Sequence, residues 1–310
     1  RLDKNLCTID GNDEYTPTDF TKSTIKEKLD FTIIQSKIRS SKNFENTKNI
    51  ESNNNSNKFN AVIQYIFNSN TNPQTHYTYY GRTKLKVLFT TFIMSLKGKL
   101  RKNFLDKNSE HVIDLDEKFI YFPLHQDEEE ATIVGAPFFT DQIQLIKNII
   151  KSLPVGYKLY VKESPSNAAR DWRKISDYKK LLNMPNLVLL HPSVNPDEIL
   201  KKCSLVISIV GTTALESAYY MKPSIIFGDT SFSNLNSVTK LNNLDELPSL
   251  IRTMLTDKID YSDVSDFHDY VQKNSFPLNL PRIWESVSDY FQFGGAYVDV
   301  VITDQQMNDY

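Results

Sequence analysis

Cysteine is scarce. Cys7 and Cys203 are the two in 310 residues, far apart and without the spacing of metal ligands. That argues against a zinc site and suits a reduced intracellular protein. No apolar run approaches the ~18 residues that a membrane-spanning helix needs. A formal net charge of −2 gives no electrostatic reason to expect nucleic acid as a partner. Two phosphate-binding signatures are missing as well: there is no Gly-x-Gly-x-x-Gly fingerprint and no Walker lysine. The chain starts at Arg1 rather than Met and carries no signal peptide, so it reads as a piece of a longer protein with a region upstream.

What is present is an ordinary soluble composition, 40 % hydrophobic and 24 % charged, with length enough for two domains. Residues 1–60 are polar, and Glu51-Ser52-Asn53-Asn54-Asn55-Ser56-Asn57 is low complexity, which suits a mobile loop. Phe59–Phe67 reads as a short helix. Residues 82–104 interleave Lys84, Lys86, Lys97, Lys99, Arg101 and Lys102 with Val87, Leu88, Phe89, Phe92, Ile93, Met94, Leu96 and Leu100. This predicts a helix with one face in the core and a solvated basic face, or one lying on an anionic membrane surface.

From Lys118 onward strands and helices alternate. Phe119–Leu124 reads as a buried strand whose last pairs are limited by Pro123. Thr140–Leu153 is an amphipathic helix with Ile146, Ile149, Ile150 and Leu153 on one face, ended by Pro154-Val155-Gly156. Tyr157–Val161 and Leu187–Leu190 are strands, with a helix over Ile175–Leu182 between them. Asn195-Pro196-Asp197-Glu198 is a strong helix start: a capping side chain, proline at the first position, acids in the first turn. An apolar run at Leu205–Val210 then stops at Gly211, a helical pattern opens at Thr212 and Thr213, and a second run, Ser224–Phe227, closes at Gly228. Leu244–Leu255 is one more helix, and 277–295 a tail helix carrying Trp284 and Phe291. Strands alternating with helices imply right-handed βαβ units and a parallel sheet covered on both faces.

Four polar clusters each follow a strand, and parallel strands present those ends on one side of the sheet, where ligands bind. Gly211-Thr212-Thr213-Ala214-Leu215-Glu216 offers turn amides for a phosphate and a carboxylate for ribose hydroxyls, with Ser208 within the preceding run. Equally, Thr213-x-x-Glu216 fits a capping box that spends both side chains on helix initiation. Lys162 and Glu163 follow Tyr157–Val161, and suit a phosphate and a sugar hydroxyl or a solvated charge pair. His125 and the acidic run Gln126-Asp127-Glu128-Glu129-Glu130 follow Phe119–Leu124; a histidine beside carboxylates supplies a general base or holds a sugar. His191-Pro192 is a fourth cluster. Arg170 and Arg173, beside Trp172, suit an anionic ligand or, more simply, surface salt bridges.

FPLHQDEEE (residues 122–130), DQIQLIKNIIKSLP (141–154), LYVKESP (159–165) and VISIVGTTALESAYYMKPSIIFG (206–228) together resemble the capsule polysaccharide biosynthesis family, which includes β-Kdo transferases. Ser164 stands where that family has histidine, and an Asp-Glu-Glu-Glu run where it has Gln-Pro-Glu. The resemblance implies an α/β, GT-B-like enzyme: a Rossmann-type nucleotide-sugar domain at 111–276, a helix-rich and divergent or incomplete acceptor region at 1–110, and a tail at 277–310. It implies a glycosyltransferase working without a metal or separate cofactor in the cytoplasm, with a nucleotide sugar such as CMP-Kdo as donor and a surface glycan or lipid-linked acceptor. Gly211, Thr212 and Thr213 then sit at the donor phosphate, Glu216 at the ribose, and Lys162, Glu163 and Ser208 along the nucleotide pocket. His125, Glu128 and Glu129 face the transferred sugar. A sugar-nucleotide 2-epimerase, a glycerol-phosphate polymer transferase and a non-catalytic nucleotide- or glycan-binding domain remain as alternatives.

Overall fold

A computed structural model of the chain describes residues 84–114, 116–125, 130–164 and 173–273. Helices expected at 59–67 and 277–295 lie outside these residues. The described residues fall in two compact units: 84–92 and 271–273 belong to one, and those within Ile93–Tyr270 to the other. In chain order the elements are α1 (Lys84–Asn108), β1 (Lys118–Pro123), α2 (Glu130–Gly135), α3 (Gln142–Ser152), β2 (Tyr157–Lys162), α4 (Ile175–Leu182), β3 (Leu187–Leu190), α5 (Pro196–Lys202), β4 (Leu205–Ser208), α6 (Thr213–Tyr219), β5 (Ser224–Ile226), β6 (Val238–Lys240), α7 (Leu247–Thr256) and α8 (Ser262–Lys273).

The six strands form one parallel sheet in the order β3-β2-β1-β4-β5-β6. This is the doubly wound, Rossmann-type arrangement, and its order reverses between β1 and β4. Side chains alternate across the pleat, and both sets are buried. Ile120, Phe122, Leu159, Val161, Leu205 and Ile207 face one layer with Ile146 and Ile149 of α3, Tyr178 and Leu181 of α4, and Leu247 and Ile251 of α7. Phe119, Tyr121, Tyr160 and Val206 face the other, with Ile199 and Leu200 of α5 and Cys203. The continuous apolar strands of the sequence follow from this two-sided burial. Leu105 of α1 also packs in the first layer, so the helix enters the core through its C-terminal half.

Local chemistry sets the ends. The Asp141 side chain accepts the Gln144 N–H (3.0 Å) and starts α3; Asn195 accepts the Asp197 N–H (3.0 Å), with Pro196 at the first position of α5. Gly156, at φ +85°, takes the left-handed turn into β2. Pro123 does not end the pairing of β1: it stays in register with Lys162, and the next amide, Leu124 N–H, donates to the Lys162 carbonyl at 2.9 Å. Leu244–Leu255 divides into a 3-10 turn (Leu244–Glu246) and α7, because Pro248 has no amide to donate and is tolerated only in a first turn. The sequence reading lacks α2, α8 and the three-residue β6. Among the described residues no helix is long and apolar enough to cross a membrane.

Candidate functional site at the carboxyl edge of the sheet

The reversal of strand order opens a crevice where the chain leaves β1 and β4 in opposite directions. His125 stands at that point. It is buried, and its main chain is held on both sides: its N–H donates to Gln142 Oε1 (2.9 Å), and its carbonyl accepts Gln142 Nε2 (3.0 Å) and Arg173 Nη2 (3.0 Å). The ring reaches across to β4. Ile209 N–H donates to Nε2 at 3.2 Å, which makes that nitrogen an acceptor and leaves the proton on Nδ1. Ser208 Oγ lies 3.1 Å from the same nitrogen and accepts the Gly211 N–H at 3.1 Å. Burial, and then the Arg173 charge, push the imidazole pKa down to about 4. At neutral pH the ring is uncharged, and its Nε2 is already engaged; the histidine pins β1 to β4.

This pin explains Gly211. A Cβ there would come within 2.6 Å of His125 Cε1 and 2.8 Å of Ser208 Oγ. The position needs the absence of a side chain rather than an unusual φ. Beyond it the turn is open: Thr212 is exposed, and Gly211, Thr213 and Glu216 are half-buried. Thr212 occupies the N-cap of α6 with no side-chain cap bond, and its hydroxyl donates to Glu216 Oε1 over 3.4 Å. The capping box between Thr213 and Glu216 is therefore not formed. The main-chain N–H groups of Thr212 and Thr213 meet no acceptor among the described residues.

The other candidates are more enclosed. Glu163 is fully buried, contrary to the sequence expectation of a side chain lining a pocket. Its Oε2 accepts Arg173 Nε (2.7 Å) and Tyr178 Oη (2.8 Å), and its Oε1 the Ser164 N–H (3.0 Å). Arg173 is correspondingly a buried ion-pair partner and not a surface one. An ionised carboxylate and a guanidinium shut away from water need each other, which is why both leave the surface together. Lys162 is buried at the last pair of β2. Burial lowers the His191 pKa, the Asp106 carboxylate opposes it, and His111 and then Lys162 add smaller downward pushes. His191 Nε2 donates to Asp106 Oδ1 (3.0 Å), its Nδ1 accepts the Ser193 N–H (3.2 Å), and its ring stacks on His111 with centroids 4.2 Å apart. Glu128 and Glu129, with Arg170, lie outside the described residues. The structure thus brings together His125, Ser208 and Gly211 in one network, with Thr212, Thr213 and Glu216 at its open end. Sequence reasoning missed Gln142 and Tyr178, which read as ordinary helix positions.

An Asp-x-Asp triplet, the pattern of metal-using transferases, does occur at Asp114-Leu115-Asp116. It precedes β1, at the edge of the sheet opposite the crevice, and the Asp116 N–H donates to Asp114 Oδ1 at 3.0 Å. A depression of about 330 Å³ beside α3 and α4 is lined by Gln142 and Arg173 but by none of the candidate residues.

The model of the family described as "Capsule polysaccharide biosynthesis protein" matches residues 23–251, well over half of the chain. The chain belongs to the capsule polysaccharide biosynthesis family. The match takes in all six strands and every candidate residue of this capsule-family protein. Solved structures similar to it include the β-Kdo 2,7 transferase of Thermosulfurimonas dismutans KpsC, at 13 % identity and TM-score 0.36 over 56 % of this chain and 52 % of that one. The β-Kdo 2,4 transferase of the same KpsC matches at 10 % identity and TM-score 0.35, over 56 % and 61 %. A Methanocaldococcus jannaschii UDP-GlcNAc 2-epimerase, solved with UDP-GlcNAc and UDP, matches at 13 % and 0.35, over 58 % and 51 %. The chain thus spans between half and three-fifths of the length of these proteins. No curated protein matches it at a significant level.

Proposed function

We propose that this chain carries the nucleotide-sugar side of a GT-B glycosyltransferase that moves a sugar from an activated donor, with CMP-Kdo a candidate, to a capsule or surface-polysaccharide acceptor. One observation supports this most: a solvent-open turn, Gly211–Thr213, at the switch point of the sheet, with two main-chain amides that lack an acceptor among the described residues. Such amides suit the departing nucleotide phosphate, whose charge grows as the sugar leaves. Donors fixed by the fold need no reorganisation during reaction, and they work without a metal. Glu216, beside Thr212, accepts ribose hydroxyls. His125 holds the turn in place through Ser208 and Ile209. With Nε2 engaged, the acceptor proton goes to a carboxylate, Glu128 or Glu129. The acceptor side belongs to residues 1–110, the donor domain to 111–276, and the work is done at the cytoplasmic membrane face.

Titration calorimetry with CMP, UDP and GDP tests the reading. One nucleotide binds in the micromolar to millimolar range, and Glu216→Ala weakens it at least about tenfold, the loss of a charged hydrogen bond. No binding of any of the three, or an unchanged affinity in Glu216→Ala, overturns it. An altered UDP-sugar released without acceptor would identify an epimerase instead, and tight binding without turnover on crude glycan a non-catalytic domain.

A further inference from the structure

His191-Pro192, the fourth polar cluster, lies at the carboxyl end of β3, the outermost strand of the sheet. Two strand spacings, roughly 10 Å, separate it from β1 and the crevice, and the donor reading makes no use of it. Two main-chain bonds tie this end of β3 to the segment after α1. Glu110 N–H donates to the Leu189 carbonyl and His191 N–H to the Glu110 carbonyl, both at 2.8 Å. That bridge brings Asp106 of α1 to His191, 85 residues further on.

Ser193, His191 and Asp106 form a chain of hydrogen bonds. Ser193 Oγ is 2.6 Å from His191 Nδ1, and His191 Nε2 is 3.0 Å from Asp106 Oδ1. The tautomer follows from the partners. Nδ1 accepts the Ser193 main-chain N–H, so the ring proton is on Nε2 and points at the carboxylate. The serine hydroxyl then donates to Nδ1. The His111 ring covers one face of the imidazole, centroids 4.2 Å apart, and its Nε2 donates to the Asp106 carbonyl at 3.3 Å. A serine two residues after a histidine bonds that ring in many turns; the carboxylate from a distant helix is what turns the pair into a nucleophile with an oriented base. The two ring nitrogens exchange the places they have in serine hydrolases, and the chemistry is the same. Ser193 is exposed, whereas the His191 side chain is only 15 % accessible. Burial lowers the imidazole pKa by more than Asp106 raises it, so Nδ1 is unprotonated at neutral pH.

We infer that Ser193 is a nucleophile that takes an acyl group from an activated donor (a thioester, acyl phosphate or aryl ester), with His191 as general base and Asp106 positioning the ring. Ser193 Oγ attacks the acyl carbon, and its proton passes to His191 Nδ1. The bond from that carbon to the leaving group breaks, and the group departs with the electron pair as thiolate, phosphate or phenolate. The imidazolium, held by Asp106, then gives its proton to water. Such leaving groups depart without a proton, which matches a site that supplies one base.

The test is incubation of the whole chain with p-nitrophenyl acetate, and separately with acetyl phosphate, followed by peptide mass spectrometry. An acetyl group on Ser193 is expected, with a burst of about one p-nitrophenolate per chain. His191→Asn should slow the labelling about 10²–10⁴-fold, and Ser193→Ala should remove it. Asp106→Asn gives a readout that a purely structural carboxylate would not move. The wild-type rate rises with pH through the His191 titration, below 6.5, and then levels off. Loss of the carboxylate, which raises that pKa against the pull of burial, His111 and Lys162, moves the midpoint to lower pH and lowers the plateau. No acetyl on Ser193, acetylation confined to lysines, or an unchanged rate in His191→Asn of native circular dichroism overturns the inference. Should His191→Asn fail to fold, an unmoved midpoint in Asp106→Asn overturns it as well.

Discussion

The His125 pin makes the stability of this domain depend on pH in a calculable way. Its imidazole is moved from 6.5 down to about 4 in the folded state. Between those values the unfolded chain binds a proton that the folded one refuses. The contribution is therefore whole above pH 6.5 and is lost as pH falls toward 4. At about 1.36 kcal/mol per unit the full difference is ~3 kcal/mol, of which about 2 kcal/mol is gone by pH 5. Other groups titrate as well, so the measurement is a difference: urea unfolding of wild type and His125→Asn at pH 7.5 and at pH 5. The variant is less stable at pH 7.5, because it loses the Ile209 and Ser208 contacts. It cannot protonate, however, so its deficit should shrink by about 2 kcal/mol at pH 5. A deficit of constant size, or a ring resonance titrating near 6.5 in the NMR spectrum, would refute the reasoning.

Two further substitutions probe the same corner. Glu163→Gln leaves Arg173 buried without its counter-charge and should cost about 3–5 kcal/mol in urea unfolding; removing the exposed Lys180–Asp177 pair should cost less than about 1 kcal/mol. Gly211→Ala forces a methyl group against His125 and Ser208, and a loss of about 1–3 kcal/mol, read as a lower Tm, is expected. An unchanged Tm would mean that the ring is not where the pin requires it.

Much of the sheet was legible because its strands are apolar on both sides and its helix starts are chemically marked. Leu187–Leu190, Ile175–Leu182 and Pro196–Lys202 stand where the residues said, the last because Asn195 and Pro196 leave little choice. The strand β6 was not legible: Val238-Thr239-Lys240 is too short for a period to show, and its place comes from pairing with β5. The site divides in the same way. Position at a strand end singled out His125, Lys162 and Gly211. Which atoms those residues would engage was hidden, since Ser208 and Gln142 reach His125 from 83 and 17 residues away. Glu163 shows the limit most clearly. A charged residue after a strand reads as surface until Arg173 and Tyr178 return to enclose it.

The first strand of the sheet is also its innermost pair with β4. A chain leaving the ribosome makes Phe119-Ile120-Tyr121-Phe122 early, yet the partner on its second edge, Leu205-Val206, comes only after β2, β3 and the four helices α2 to α5 have been made. Until then an oily ribbon stands with unpaired amides and carbonyls along one side, open to whatever nascent neighbour passes. Translation pace over that interval, or a chaperone that occupies the open edge, then governs how much of this protein reaches its native form.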